Sequence, residues 1–409
     1  MPVLLMLLTA AFDRAATASD DPPPLKFRTQ EIDPHVGNVC YALALADVNG
    51  DSRPDIVAVT ENAVVWFENP SWKKRPIIEN QTDRDNVCIA PYDIDGDGQI
   101  DFAVGAGWQP ANTQSGGTIQ WLRRGKSLDN KWSVHAIGSE PTTHRMRWGD
   151  VLGTGRPQLV VSPLQGRGTK GPNWGDGNGL RLLAFSIPKD PASDPWPSTL
   201  IDDSLHCMHN HWIGEFHPNG TTGVLTSSWE GVHWFQRGSG GKWLKEHLGT
   251  GNQESTPFKG SSEIKPGLVA GRRGFIATIE PWHGHQVVVY TPPQPGDSKW
   301  RRTVVDDTMK WGHAVWCADL DGDGTDEIVI GQRDKGPGPI AGPGVLIYRA
   351  ADATAVRAAK WDKIVVDDGG VAVEDLVAGD LNGDGKIDIV AGGRATHNVK
   401  IYENVAEPK

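Results

Sequence analysis

The sequence predicts an all-β chain folded as a seven-bladed β-propeller, with four-stranded blades and an N-terminal strand that completes the last blade. Three observations carry this. An acidic loop recurs along the chain, each copy is followed by two Val/Ile-rich runs and a Trp-led segment, and one such segment is missing downstream but present upstream of the first loop.

The complete loops are Asp93-Ile94-Asp95-Gly96-Asp97-Gly98, Asp319-Leu320-Asp321-Gly322-Asp323-Gly324 and Asp380-Leu381-Asn382-Gly383-Asp384-Gly385, with Asp47-Val48-Asn49-Gly50-Asp51-Ser52 close behind. Degenerate copies start at Asp150, Glu215 and, with no acid left, Val269, which makes seven units. Runs such as Asp326-Glu327-Ile328-Val329-Ile330-Gly331 and Gly344-Val345-Leu346-Ile347-Tyr348 read as short strands bounded by turn residues. The Trp-led segments open at Trp72, Trp132, Trp196, Trp243, Trp300 and Trp361. Phe27 to Asp33 repeats the spacing of Trp300 to Asp306, so the seventh outer strand is expected at the N-terminus. Such closure removes the sheet edges that would otherwise pair with neighbours. Length alone would allow two or three domains in 409 residues, but one circular array over 19–409 accounts for them. The 49 Gly and 29 Pro fit many turns, because apolar alternation continues between them.

Residues 1–18 read as an export signal, with an apolar run from Val3 to Leu8 too short to span a bilayer and an A-x-A site at Ala16-Thr17-Ala18, though no basic residue stands near Met1. The expected location is therefore secreted or periplasmic. A net charge of −11 argues against nucleic acid and anionic membrane surfaces, which need clustered Lys and Arg, and favours a small neutral partner. The four cysteines show no zinc-type CxxC pair. Cys40 and Cys88 open adjacent blades, where either a disulfide or buried free thiols would fit.

Carboxylate and amide oxygens at loop positions one, three, five and nine, around a Gly-built turn, make an oxygen cage suited to Ca²⁺. Asp47, Asn49, Asp51 and Asp55 fill the pattern, as do Asp93, Asp95, Asp97 and Asp101, and Asp380, Asn382, Asp384 and Asp388; in the fourth loop Asp319, Asp321 and Asp323 are completed by Glu327. Position twelve is Val104, Ile330 or Ala391 and a strand follows, so these are not EF-hands but structural staples at blade turns. They resemble the FG-GAP/VCBS calcium repeats of integrin-type propellers, which implies the fold but leaves adhesion, lectin-like and lyase functions open.

The opposite ends of the strands carry more chemistry. Six residues before the seven loop starts stand Tyr41, Val87, His144, His209, Glu263, His313 and Glu374. Fourteen residues after them stand Glu61, Gly107, Leu164, Trp229, His283, Arg333 and Arg394, which emerge at the same face because the loop joins the first and second strands. Three histidines from three blades at one register, with Glu263 or Glu374 beside them, suit Zn²⁺ or another divalent transition metal near the axis. A channel network of histidines and water is the rival reading. His211 lies on the side of its strand that His209 occupies, and His397 adds an imidazole near the same mouth.

The strings Thr143-His144-Arg145-Met146-Arg147-Trp148, Met208-His209-Asn210-His211-Trp212, Pro281-Trp282-His283-Gly284 and Gly312-His313-Ala314-Val315-Trp316 resemble the propeller domain of aldos-2-ulose dehydratases, which remove water from keto-sugars such as 1,5-anhydro-D-fructose. Nothing here encodes the cupin domains of the fungal members. The resemblance implies a metal-dependent carbon-oxygen lyase working by α-proton abstraction and β-elimination, on that sugar or on a 2-keto or 3-keto glycoside. In that reading His144, His209, His313, Glu263 and Glu374 hold the metal, His283, His211 and Tyr41 move protons, and Arg333, Arg394, Trp229 and His397 bind the carbohydrate. A non-catalytic carbohydrate-binding or adhesion propeller with structural calcium is the alternative, and a metal-dependent hydrolase a third.

Overall fold

A computed structural model describes residues 24–216, 220–294, 296–297, 299–335 and 342–406; the expected leader at residues 1–18 lies outside them. Seven four-stranded antiparallel sheets surround a central channel, six of them with their strands in sequence order from the axis outwards. The seventh sheet is closed by the N-terminal strand Phe27–Asp33, which pairs with Val399–Asn404. Numbering the blades from Cys40, the inner strands are Cys40–Ala46, Cys88–Tyr92, Thr143–Gly149, Asn210–Glu215, Ile264–Val269, Gly312–Ala318 and Val373–Gly379. All six Trp-led segments form outer strands, as expected from their spacing. One short helix, Ala353–Ala358, interrupts blade six and is capped by the Asp352 side chain. Among the described residues no helix is long and apolar enough to cross a membrane.

The second strands read as continuous apolar runs because both their faces pack against neighbouring blades; in Asp55-Ile56-Val57-Ala58-Val59-Thr60, for example, every residue is buried. Large rings fill the wider gaps farther out: Trp66, Trp121, Phe185, Trp234, Tyr290, Tyr348 and Tyr402 stand on the third strands of the seven blades. The core is thus divided into wedges between blades, such as Leu43, Ile56, Ala58 and Phe67 against Val377, Val390 and Ile401. Each such buried side chain stabilises the ring by about 1.5–3 kcal/mol.

The acidic loops fold on internal bonds. The position-one acid accepts the amides of positions four and six, as Asp93 does from Gly96 and Gly98 at 2.9 Å each. The position-nine acid accepts the position-two amide: Asp55 from Val48, Asp101 from Ile94, Glu327 from Leu320 and Asp388 from Leu381. Blade three has a neutral counterpart shifted by one residue, Gln158 at position nine accepting from the position-three amide of Leu152 at 2.9 Å. All four cysteines are buried free thiols; Cys40 packs on Gly392 and Cys88 on Gly105, so no disulfide joins them.

Candidate active site

The regular spacing that marks Tyr41, His144, His313 and Glu374 has a backbone cause. Each sits where the pairing of first and second strands slips, between Cys40 and Ala42, Thr143 and Arg145, Gly312 and Ala314, and Val373 and Asp375. A bulge of this kind re-aims one side chain out of the packed sheet. Val87, His209 and Glu263 instead stand one residue ahead of their inner strands.

Three of the imidazoles meet. Ligand nitrogens of His209, His283 and His313 lie within 4.8 Å of one another, and the Nε2 atoms of His209 and His283 are 2.6 Å apart. The Nδ1 of His313 faces the Glu374 carbonyl at 2.6 Å, and a carbonyl only accepts, so Nδ1 carries the proton and Nε2 keeps its lone pair. The Nδ1 of His209 faces the Glu263 carboxylate at 2.5 Å with the same result. Glu263 is fixed in turn by the Asn210 amide. Carboxylate or carbonyl on the far nitrogen is how metal-binding histidines are oriented, and the donor set fits a transition metal. Burial, and after it the positive charge and imidazoles of neighbours, holds His209, His283 and His313 well below the usual histidine value, in the neutral form that ligation needs.

The remaining expected residues divide around this trio. His144 lies beside it, 4.5 Å from His209 between ring centroids, and its Nε2 is buried without a protein partner. The imidazole that completes the close group with His209 and His313 is that of His283, whose backbone is left-handed at φ 51°. Glu263 backs His209, and Glu374 is clamped by Arg394 at 2.6 Å and Arg333 at 3.4 Å, although its Oε1 stays 3.8 Å from His313 Nε2. Tyr41 donates to Asp85 at 3.1 Å, with the Arg394 guanidinium 5.7 Å from its ring. His211 does not reach the mouth, because its Nδ1 is engaged by the Ser162 hydroxyl at 2.9 Å, one blade away and fully buried. Trp229 is only 4% exposed, covered by Gly175 and by Lys259, so it presents no face to a sugar. His397 serves the backbone, bonding the Asn38 carbonyl at 2.6 Å.

Several participants escaped the periodicity. Trp108 stacks on His144 at 5.6 Å and Trp282 on His283 at 4.1 Å, each from the loop after a second strand. Asp85 lies on the approach to blade two. Arg145, beside His144 in the quoted string, donates to the His144 carbonyl at 3.1 Å and approaches Glu263 at 3.9 Å. Along the inner strands runs a cavity of about 440 Å³ lined by Arg145, Arg147, Trp212, Trp316 and Asp375 among others. The Lys265 Nζ sits between Trp212 and Trp316, 3.4 and 2.9 Å from their ring centroids, and burial, with Arg147 next, drives its pKa well below the usual lysine value.

At the opposite face carboxylates cluster in two loops, Asp93 with Asp95 and Asp101, and Asp319 with Asp321 and Glu327, each set within 4.8 Å. The other two acidic loops, starting at Asp47 and Asp380, have Asn49 and Asn382 at position three. Burial pushes Asp101 up to about 6, and Glu327 up to about 9 with the help of Asp321.

The family profile of the aldos-2-ulose dehydratase β-propeller domain matches residues 116–293, and that of an FG-GAP-like repeat matches 47–104. An aldos-2-ulose dehydratase from Phanerodontia chrysosporium is 27% identical over 281 residues, 63% of this chain and 30% of that protein. The match therefore spans less than a third of that relative's length. Among solved structures, BBS1N in complex with ARL6DN is similar over 95% of this chain and all of its own, with a TM-score of 0.55 and 12% identity. An Agrocybe aegerita lectin that recognises non-reducing terminal N-acetylglucosamine covers 80% of both chains at a TM-score of 0.49 and 14% identity. The chain is a seven-bladed β-propeller with FG-GAP-like repeats, and it resembles the β-propeller domain of aldos-2-ulose dehydratase.

Proposed function

We propose that this chain is a metal-dependent carbon-oxygen lyase that removes water from a keto-sugar such as 1,5-anhydro-D-fructose, or the equivalent leaving group from a keto-glycoside. The observation that carries the reading is the convergence of His209, His283 and His313, neutral and oriented by Glu263 and the Glu374 carbonyl. These three would hold the metal, which when bound supplies a Lewis acid that polarises the sugar carbonyl. The chain's own residues do the rest. His144, kept neutral by burial and then by the Arg145 charge, accepts the α-proton through Nε2. The C–H electron pair becomes the new C=C bond as the β C–O bond breaks. Tyr41, whose pKa burial and Asp85 raise, stays protonated and donates to the departing hydroxyl, which leaves as water. Arg333 and Arg394, positioned by Glu374, lower the energy of the enolate charge. Calcium at the Asp93 and Asp319 loops, and at their Asn-containing counterparts, is the structural part of the same reading.

Metal analysis of the purified protein beside His209→Ala/His313→Ala, coupled to an ultraviolet assay for enone formation from 1,5-anhydro-D-fructose, tests it. One transition metal per chain, absent from the double variant together with the absorbance, is the expected result. Calcium alone and no enone from any keto-sugar would leave a calcium-stapled carbohydrate-binding propeller as the better reading.

A further inference from the structure

Two clefts flank the histidine trio at the same face. One, of about 670 Å³, is lined by Tyr41, Asp85, Trp108 and Asn112. The other, of about 230 Å³, is lined by Phe258, Trp282, His283, Lys310 and Trp311. The first belongs to blades one and two and the second to the loops entering and leaving blade five, so the blade-three and blade-four histidines lie between them. The rings form a continuous train: successive centroids of Trp108, His144, His209, His283 and Trp282 are 5.6, 4.5, 4.4 and 4.1 Å apart. Phe258 then stacks on Trp282 at 5.2 Å and meets Trp311 edge-on at 6.4 Å.

The second cleft is also held in an unusual backbone state. Trp311 has φ 51°, a left-handed conformation that is strained for a bulky residue. Its carbonyl is pinned by the Arg333 amide at 2.9 Å, and the guanidinium of Arg333 lies 4.8 Å from its ring. That arrangement sets the indole on the cleft beside the exposed Lys310. An aromatic face beside hydrogen-bonding groups is what a pyranose ring needs, an apolar C–H face against the ring and hydroxyls to the rim. Here there are two such platforms, Trp108 with Asp85 and Asn112, and Trp311 and Phe258 with Lys310, while only one sugar ring can sit over the histidines.

We propose that the site is a two-sided groove for a saccharide of two or more rings, the reacting keto-ring over the trio beside Trp108 and a second ring against Phe258 and Trp311. This rests on the lyase reading for the identity of the reacting ring. The substrate class is then a keto-disaccharide, and the 1,5-anhydro monosaccharide is a minimal substrate that leaves half the groove unused.

The test compares wild type with Phe258→Ala/Trp311→Ala on a 3-keto-disaccharide and on 1,5-anhydro-D-fructose, with metal content and melting temperature checked in both proteins. A tenfold or larger loss of kcat/KM on the disaccharide, against less than threefold on the monosaccharide, is expected. Equal losses on both substrates, or none on either, would overturn the groove. Should wild type turn over no keto-sugar, the lyase reading fails, and the groove is judged by calorimetry with cellobiose: binding to wild type that the variant lacks supports it, and no binding to wild type sinks it.

Discussion

The two ends of the same inner strands have been put to opposite uses. At one end four loops repeat an acidic pattern almost letter for letter, and each closes on its own amides. At the other end no two neighbouring blades present the same residue except blades three and four, with His144 and His209. Blades three, four and five, which have lost most of the loop acids, supply His144, His209, Glu263 and His283. Blades one, two and seven keep the complete or nearly complete loops and supply Tyr41, Val87 and Glu374, and blade six supplies both a loop and His313. The difference teaches that the two ends of a blade vary separately: blade three holds its turn with the neutral Gln158 in place of a ninth-position acid, while its far end carries His144.

The largest effect expected from breaking this separation is at the histidine face. His209→Ala/His313→Ala should lose its transition metal and at least a thousandfold in activity, while calcium content and melting temperature, read by elemental analysis and calorimetry, stay close to wild type. His144→Gln sharpens the assignment: metal content unchanged but kcat lower by roughly 10² to 10⁴, the usual contribution of one proton-transfer group. If that variant loses the metal instead, His144 is a ligand and not the base. Glu263→Gln should weaken metal affinity by about 10 to 100-fold, measured by competition with a chelator, because the bond that orients His209 becomes neutral.

At the acidic face the effects should be smaller and purely structural. Asp93→Asn/Asp319→Asn is expected to lower the melting temperature and abolish its response to added calcium, leaving the enone assay per folded molecule within twofold. A large fall in kcat there would show that the two faces communicate. Smallest of all is a contact belonging to neither face. Burial alone would push the Asp306 carboxyl up, but its bonds to Lys363, Tyr348 and Thr308 hold it down to about 2. Its folded value is below the unfolded one near 4, so its contribution is complete above about pH 4 and is lost as the pH falls towards 2. Asp306→Asn should cost about 1–2 kcal/mol in denaturant titrations at pH 7 and flatten stability between pH 4 and 2.

What the sequence made legible was whatever repeats. The acidic loops, the apolar runs and the Trp-led outer strands recur often enough to count blades and to place the closing strand at Phe27–Asp33. The register of Tyr41, His144, His313 and Glu374 was readable because a bulge recurs with it. Residues on the connecting loops were not. Asp85, Trp108, Phe258 and Trp311 obey no period, since loop length differs from blade to blade and only the folded chain brings them beside the histidines. The sequence pattern also misjudged Trp229 and His211: the first holds the register and the second lies two residues on from His209, but Lys259 and Gly175 cover the first and Ser162 engages the second.

The recurring bulge has an evolutionary consequence. A bulged position takes one side chain out of the ladder and re-aims it, so its occupant is set apart from the packing that holds the blades together. The ring behaves as a set of addresses, each open to a single codon change. Blade two, where the address holds Val87, is the one without a polar side chain, although blades four and five also lack the bulge and carry His209 and Glu263. A propeller built this way can gain, lose or relocate a ligand one substitution at a time, which lets unrelated chemistries grow on the same seven blades without passing through an unfolded ancestor.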